Sequence, residues 1–65
     1  MIMLQRLDEQ SNENLGGLFI EPSHISALVP ELRDITRIVL SNGHSYRTPF
    51  SVVEIIELMK QVHSR

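Results

Sequence analysis

The stretch that decides the fold is Ile38-Val39-Leu40-Ser41-Asn42-Gly43-His44-Ser45-Tyr46, followed shortly by Ser51-Val52-Val53-Glu54. Asn-Gly between two strand-like runs is the strongest short-range hairpin signal: the turn needs positive φ, which glycine accepts without strain and asparagine tolerates. A two-residue type I′ loop at Asn42-Gly43 predicts a register in which Ser41 faces His44, Val39 faces Tyr46 and Ile38 faces Arg47. That register sets Arg37 opposite Thr48, so Arg37 and Arg47 are expected on opposite faces. Ser51 and Glu54 have the spacing of a capping box, in which the Ser51 hydroxyl accepts from the Glu54 N–H and the Glu54 carboxylate accepts from the Ser51 N–H. Phe50 and Ile55 stand where a hydrophobic staple would form. Val52, Ile55, Ile56, Met59 and Val62 recur at helical spacing, predicting a helix over 51–63. Val53 and Leu58 fall off that stripe and are candidate oligomer contacts.

Upstream, Ile2-Met3-Leu4-Gln5-Arg6-Leu7 reads as a first strand, with Ile2, Leu4 and Leu7 directed inward. The polar run 8–14, continued by Leu15 and Gly16-Gly17, is expected to be a mobile loop over 8–17 with nothing to anchor it. Leu18-Phe19-Ile20 gives a short second strand ended by Pro22, which lacks the donor that a central ladder needs. Ser23 to Val29 is a third extended run closed by Pro30. Glu31 to Asp34 is a charged connector or at most a helical turn, and residues 35–41 and 44–48 form the hairpin. The predicted fold class is α+β: one domain over 1–65, a small antiparallel β-meander of four or five short strands packed by one C-terminal helix.

Composition narrows the function. A chain of 65 residues with no cysteine has a small core and no disulfide to reinforce it, so self-association is the expected source of further burial. The formal net charge of −2 creates no broad basic field for phosphate or anionic lipid, and the six basic residues are scattered. No apolar run reaches the length of a membrane span, and no signal-peptide pattern opens the sequence; a cytoplasmic location is expected.

Catalysis needs a nucleophile, an acid or base held by a third group, or a metal. Every serine is accounted for by a turn, strand or cap, and Gly16-Gly17 lacks the strand–glycine–helix context of a phosphate cradle. His24, His44 and His63 lie far apart and not at ligand spacing, with ordinary positions at a strand start, a hairpin tip and a helix end. Glu54 is committed to its cap, and Glu57 pairs with Lys60 or Gln61 along the helix. Neither an enzyme nor a cofactor or metal is expected.

Laid in order, Leu4-Gln5-Arg6-Leu7, the short strands around Ile20 and Ile25-Ser26-Ala27-Leu28, Ile38 to Tyr46 and Ser51-Val52-Val53-Glu54-Ile55-Ile56 resemble the FlbD/SwrD family of very small bacterial proteins associated with flagella and swarming. Its members carry a similar strand start, an Asn-Gly-x-x-Tyr type hairpin and a Ser-Val-x-Glu-Ile type helix start. Here the polar segment 8–14 replaces a tight turn, and Pro49-Phe50 precedes the helix where a charged residue is usual. A similar ending occurs in LytTR-type DNA-binding domains and in small phage-encoded proteins. The resemblance implies no catalytic residues.

The expected function is therefore a non-enzymatic, homo-oligomeric interaction or regulatory module that binds another protein. One alternative is a small-ligand binder or sponge, for a nucleotide or metabolite, with a pocket at a subunit interface and His44, Tyr46 and Arg47 as contacts. The other is a nucleic-acid-binding regulator using Arg37 and Arg47.

Overall fold

In a computed structural model, which describes residues 1–31 and 34–63, the chain forms five strands and a helix. These are β1 (Ile2–Leu7), β2 (Asn14–Ile20), β3 (Ile25–Pro30), β4 (Thr36–Leu40), β5 (Ser45–Thr48) and α1 (Val52–His63), with a short 3₁₀ turn at Pro22–His24 between β2 and β3. The sheet order is β2-β1-β5-β4-β3, and all four pairings are antiparallel. A meander of β3, β4 and β5 is thus joined to the β1–β2 hairpin through β1 and β5. The small α+β architecture read from the sequence is the one observed.

One face of the sheet packs on α1. Ile2 and Leu4 from β1, Ile20 from β2, Ile38 from β4 and Ile55 from α1 form the buried cluster. Leu18, Leu28, Leu40, Phe50, Leu58 and Met59 pack around it. Alternation along each strand delivers these residues to one side, since successive side chains point to opposite faces.

The helix begins as its sequence dictates. The Glu54 N–H donates to Ser51 Oγ at 3.2 Å and the Ser51 N–H donates to Glu54 Oε1 at 2.9 Å. Both bonds of the capping box are made, and two otherwise unpaired donors of the first turn are satisfied. The expected pair on the helix surface is also present, with Lys60 Nζ 3.8 Å from Glu57 Oε1.

The apolar stripe is rotated from the one expected. Leu58 packs against the core, whereas Ile56 is exposed. Positions 55, 58 and 59 trace the observed seam, because Leu58 lies one turn from Ile55 on the side away from Ile56, and Val62 is exposed. Val53 is 68% exposed, off the core as expected.

The hairpin register differs by one residue from the expected one. The partners are Val39 with Ser45, Ile38 with Tyr46, Arg37 with Arg47 and Thr36 with Thr48. The loop has three residues, Ser41-Asn42-Gly43: the Gly43 N–H donates to the Leu40 carbonyl at 3.0 Å and the Leu40 N–H to the His44 carbonyl at 2.8 Å. Only Gly43 takes positive φ, at 92°, while Asn42 does not. This is the type I turn with a glycine bulge that serves three-residue hairpins. A one-residue slip turns every β5 side chain over. The two-residue register would have aimed Arg47 at the core beneath α1. The observed one aims Thr48 and Tyr46 there and frees Arg47 to the other side, avoiding the cost of burying a guanidinium among aliphatic groups.

Two further expectations are corrected. β2 starts at Asn14, so residues 14–17 are strand rather than part of a loop reaching Gly17. Leu7 is buried but stands apart from the core cluster. It pairs with Arg47 and, three and five positions on from Leu4 and Ile2, belongs to the opposite face. The connector at 31–34 and the helix-end roles of His63 and Arg65 fall partly outside the described residues.

Candidate interaction surface

The sheet face turned away from α1 carries both candidate features of the molecule. At its centre Arg37 and Arg47, brought side by side by the observed register, share Glu31. Arg47 Nε donates to Glu31 Oε1 at 2.7 Å and Arg37 Nε donates to Glu31 Oε2 at 3.1 Å. Arg37 Nη2 reaches Glu9 Oε1 at 2.8 Å and its Nη1 reaches Ser45 Oγ at 3.0 Å. Arg47 Nη1 also donates to the Asn12 side-chain carbonyl and, at 3.4 Å, to the backbone carbonyls of Asp8 and Glu9.

The polar segment after β1 is therefore tied to the sheet by its own side chains. Its internal geometry is set by Asp8, whose carboxylate accepts from the backbone N–H groups of Gln10 and Ser11 at 3.0 and 2.9 Å and from the Ser11 hydroxyl. The Asp8 N–H closes the turn onto the Glu13 carbonyl at 2.8 Å, and Asn12 adopts the left-handed region at φ 59°. Asparagine is among the few residues that do so cheaply.

These contacts shift the titrations. Hydrogen bonding from Arg47, and then from Arg37, holds the Glu31 carboxyl below the ordinary glutamate range, with partial burial opposing. Glu9, and then Glu31, raises Arg37 further above its already high value. Donation from the Ser11 and Gln10 backbone lowers Asp8. The arginines are occupied: each positive charge faces a carboxylate, which leaves little field for an external phosphate.

The second feature is apolar. Met3 and Phe19 are cross-strand partners on β1 and β2, on the same outer face, and are 57% and 65% exposed. Separately, between the start of β1 and α1, an open groove of about 540 Å³ is lined by Met1, Ile2, Met3, Leu58, Gln61 and Val62. Sequence alternation in β1 already placed Met3 outward. What it could not show is that Phe19 lies directly opposite, because that depends on the β1–β2 register.

The residues expected to bind a ligand do not converge. His44 is exposed just after the loop, Tyr46 shares the helix-facing side with Ile38, and Arg47 points the other way. Of the candidate oligomer contacts, Val53 lies in the open and Leu58 divides itself between the core and the groove. Among the described residues, no group of three or more His, Cys, Asp or Glu is placed to hold a metal ion, and no helix is long and apolar enough to cross a membrane. No family model, curated protein or solved structure matches the chain.

Proposed function

We propose that the protein is a non-enzymatic interaction module that self-associates and, in that form, binds and regulates another protein. The observation that carries this reading is the exposed Met3–Phe19 pair on the sheet face that α1 leaves uncovered. Two large apolar side chains held together by strand pairing are a costly surface to leave in water, and Met3 also lines a groove. The short core supports the same reading, since a second subunit supplies burial that 65 residues cannot. A standard interface covers about 800 Å² on each partner, roughly a fifth of the 4483 Å² of accessible surface on this chain. The resemblance to the FlbD/SwrD family favours a bacterial protein as the eventual partner. A nucleic-acid role draws less support, because Glu9 and Glu31 already neutralise the two arginines it would use.

Sedimentation of the wild-type chain at micromolar concentration should give a dimer or larger species, and Phe19→Ser should shift it to monomer with its circular dichroism retained. A wild-type chain that sediments as a monomer throughout that range contradicts the proposal.

A further inference from the structure

The Asn-Gly pair that turns the β4–β5 hairpin is also the sequence in which a backbone nitrogen most easily reaches the preceding side chain, because glycine has no Cβ in the way. Three observations meet there. Asn42 is exposed and lines an open pocket of about 290 Å³ with His24, Leu40 and Ser41. Its Oδ1 accepts from the His44 backbone N–H at 3.0 Å, a donor aimed at the oxygen on which negative charge develops when the amide carbon is attacked. A Cβ added at Gly43 would meet no atom within 4 Å, so the approach to this loop is open to water.

We infer that Asn42-Gly43 is a site of spontaneous covalent modification, where the Asn42 side chain deamidates through a succinimide and water completes the conversion to aspartate or isoaspartate. The Gly43 nitrogen gives its proton to a solvent base and bonds to Cγ of Asn42. The bond from Cγ to Nδ2 then breaks and the nitrogen leaves as ammonia, taking up a proton. Water adds to one of the two imide carbonyls and opens the ring. Asparagine and water have become an acidic residue and ammonia, with no change of oxidation state. The Gly43 N–H is held by the Leu40 carbonyl at 3.0 Å, so the reaction draws on the fraction of molecules in which the loop tip has opened.

Asn14 is a built-in control. Its Oδ1 accepts from the Gly16 N–H at 2.9 Å, the same two-residue geometry, but its successor is Leu15 rather than glycine. The consequence for the fold follows from the loop. An isoaspartyl link adds a methylene to the main chain of the three-residue turn that sets Arg37 opposite Arg47, and the pairing beyond it weakens.

The test is a time course of the full, folded chain at mildly alkaline pH, followed by peptide mapping of all three asparagines. Asn42 should convert at least about tenfold faster than Asn14, a barrier difference of about 1.4 kcal/mol or more, and yield both aspartyl and isoaspartyl products. The isolated isoaspartyl form should melt below the aspartyl form. Conversion at Asn42 no faster than at Asn14 overturns the site, and equal melting of the two products overturns its effect on the hairpin. Gly43→Ala should slow the reaction at position 42. Because φ of 92° strains any side chain at Gly43, the wild-type comparison with Asn14 decides the matter even if that variant does not fold.

Discussion

Beneath α1 the sheet presents Ile2, Leu4, Ile20 and Ile38, whereas on its other side Leu7 is buried beside Arg37, Arg47 and the carboxylates that bind them. The first face is held by apolar burial, which is strong, non-directional and indifferent to salt. The second is held by hydrogen-bonded charges at partial exposure, whose net worth is small and screened. One chain of alternating side chains makes both, and the three-residue hairpin loop sets Arg47 beside Arg37 on the second face.

The comparison breaks most visibly at the helix seam. Ile55 is fully buried at the centre of the cluster, so Ile55→Ala should cost about 2–5 kcal/mol through lost transfer energy and the cavity left behind. Urea titration should show this as a large drop in midpoint, or as loss of folding altogether. Next in size is Ser51→Ala, which removes the acceptor for the Glu54 N–H and should cost about 0.5–2 kcal/mol. An unchanged midpoint would mean that the cap contributes nothing to the helix-covered face.

Thr48 sharpens the contrast from within that face. Its hydroxyl is fully buried beside Thr36 and has no hydrogen-bond partner, an unsatisfied group that costs on the order of 1 kcal/mol or more. Thr48→Val, nearly the same shape without the hydroxyl, should raise the unfolding free energy by about 1 kcal/mol, read as a higher urea midpoint. A fall in stability would show that the hydroxyl is satisfied in solution.

The smallest expected effect belongs to the charged face. Glu31→Gln removes the ion pairs that Glu31 makes with Arg37 and Arg47 and should lower thermal stability less than Ile55→Ala does, with a deficit that shrinks as salt is added. Its pH signature has a definite sign. Glu31 titrates lower in the folded chain than in the unfolded one, so its contribution is complete above the unfolded glutamate value and is lost as pH falls through the folded value. Acid unfolding of the wild type should therefore be steeper than that of Glu31→Gln, in the range below the ordinary glutamate titration.

The helix-covered face was largely legible in the sequence. Ser51, Glu54 and Ile55 encode the helix start through contacts within one turn, and the alternation of Ile2 and Leu4 needs no knowledge of a partner strand. The charged face was not legible, because each of its features depends on register. Asn-Gly signals a hairpin in either loop length, and a loop of two residues rather than three would turn Arg47 to the other side. The cost of an arginine beneath α1 was the available signal for the longer loop. The apolarity of Leu7 suggests the core, although its spacing from Leu4 argues for the other face. The polar run 8–14 looked unanchored because its anchors, Glu9 and Asn12, bind arginines about 30 residues away in sequence, and such pairings carry no local pattern. Met3 and Phe19 could be seen singly but not as a pair.

The most direct test of this two-faced account is the hairpin register, read by proton–proton contacts in the folded chain. In an antiparallel pair, the residues that do not exchange hydrogen bonds bring their Cα atoms closest. With Leu40 bonded to His44, those pairs are Val39 with Ser45 and Arg37 with Arg47. Strong Hα–Hα nuclear Overhauser effects between Val39 and Ser45, and between Arg37 and Arg47, are the predicted result. Strong effects between Leu40 and Ser45 and between Ile38 and Arg47 instead would put Arg47 on the side of α1 and contradict the account.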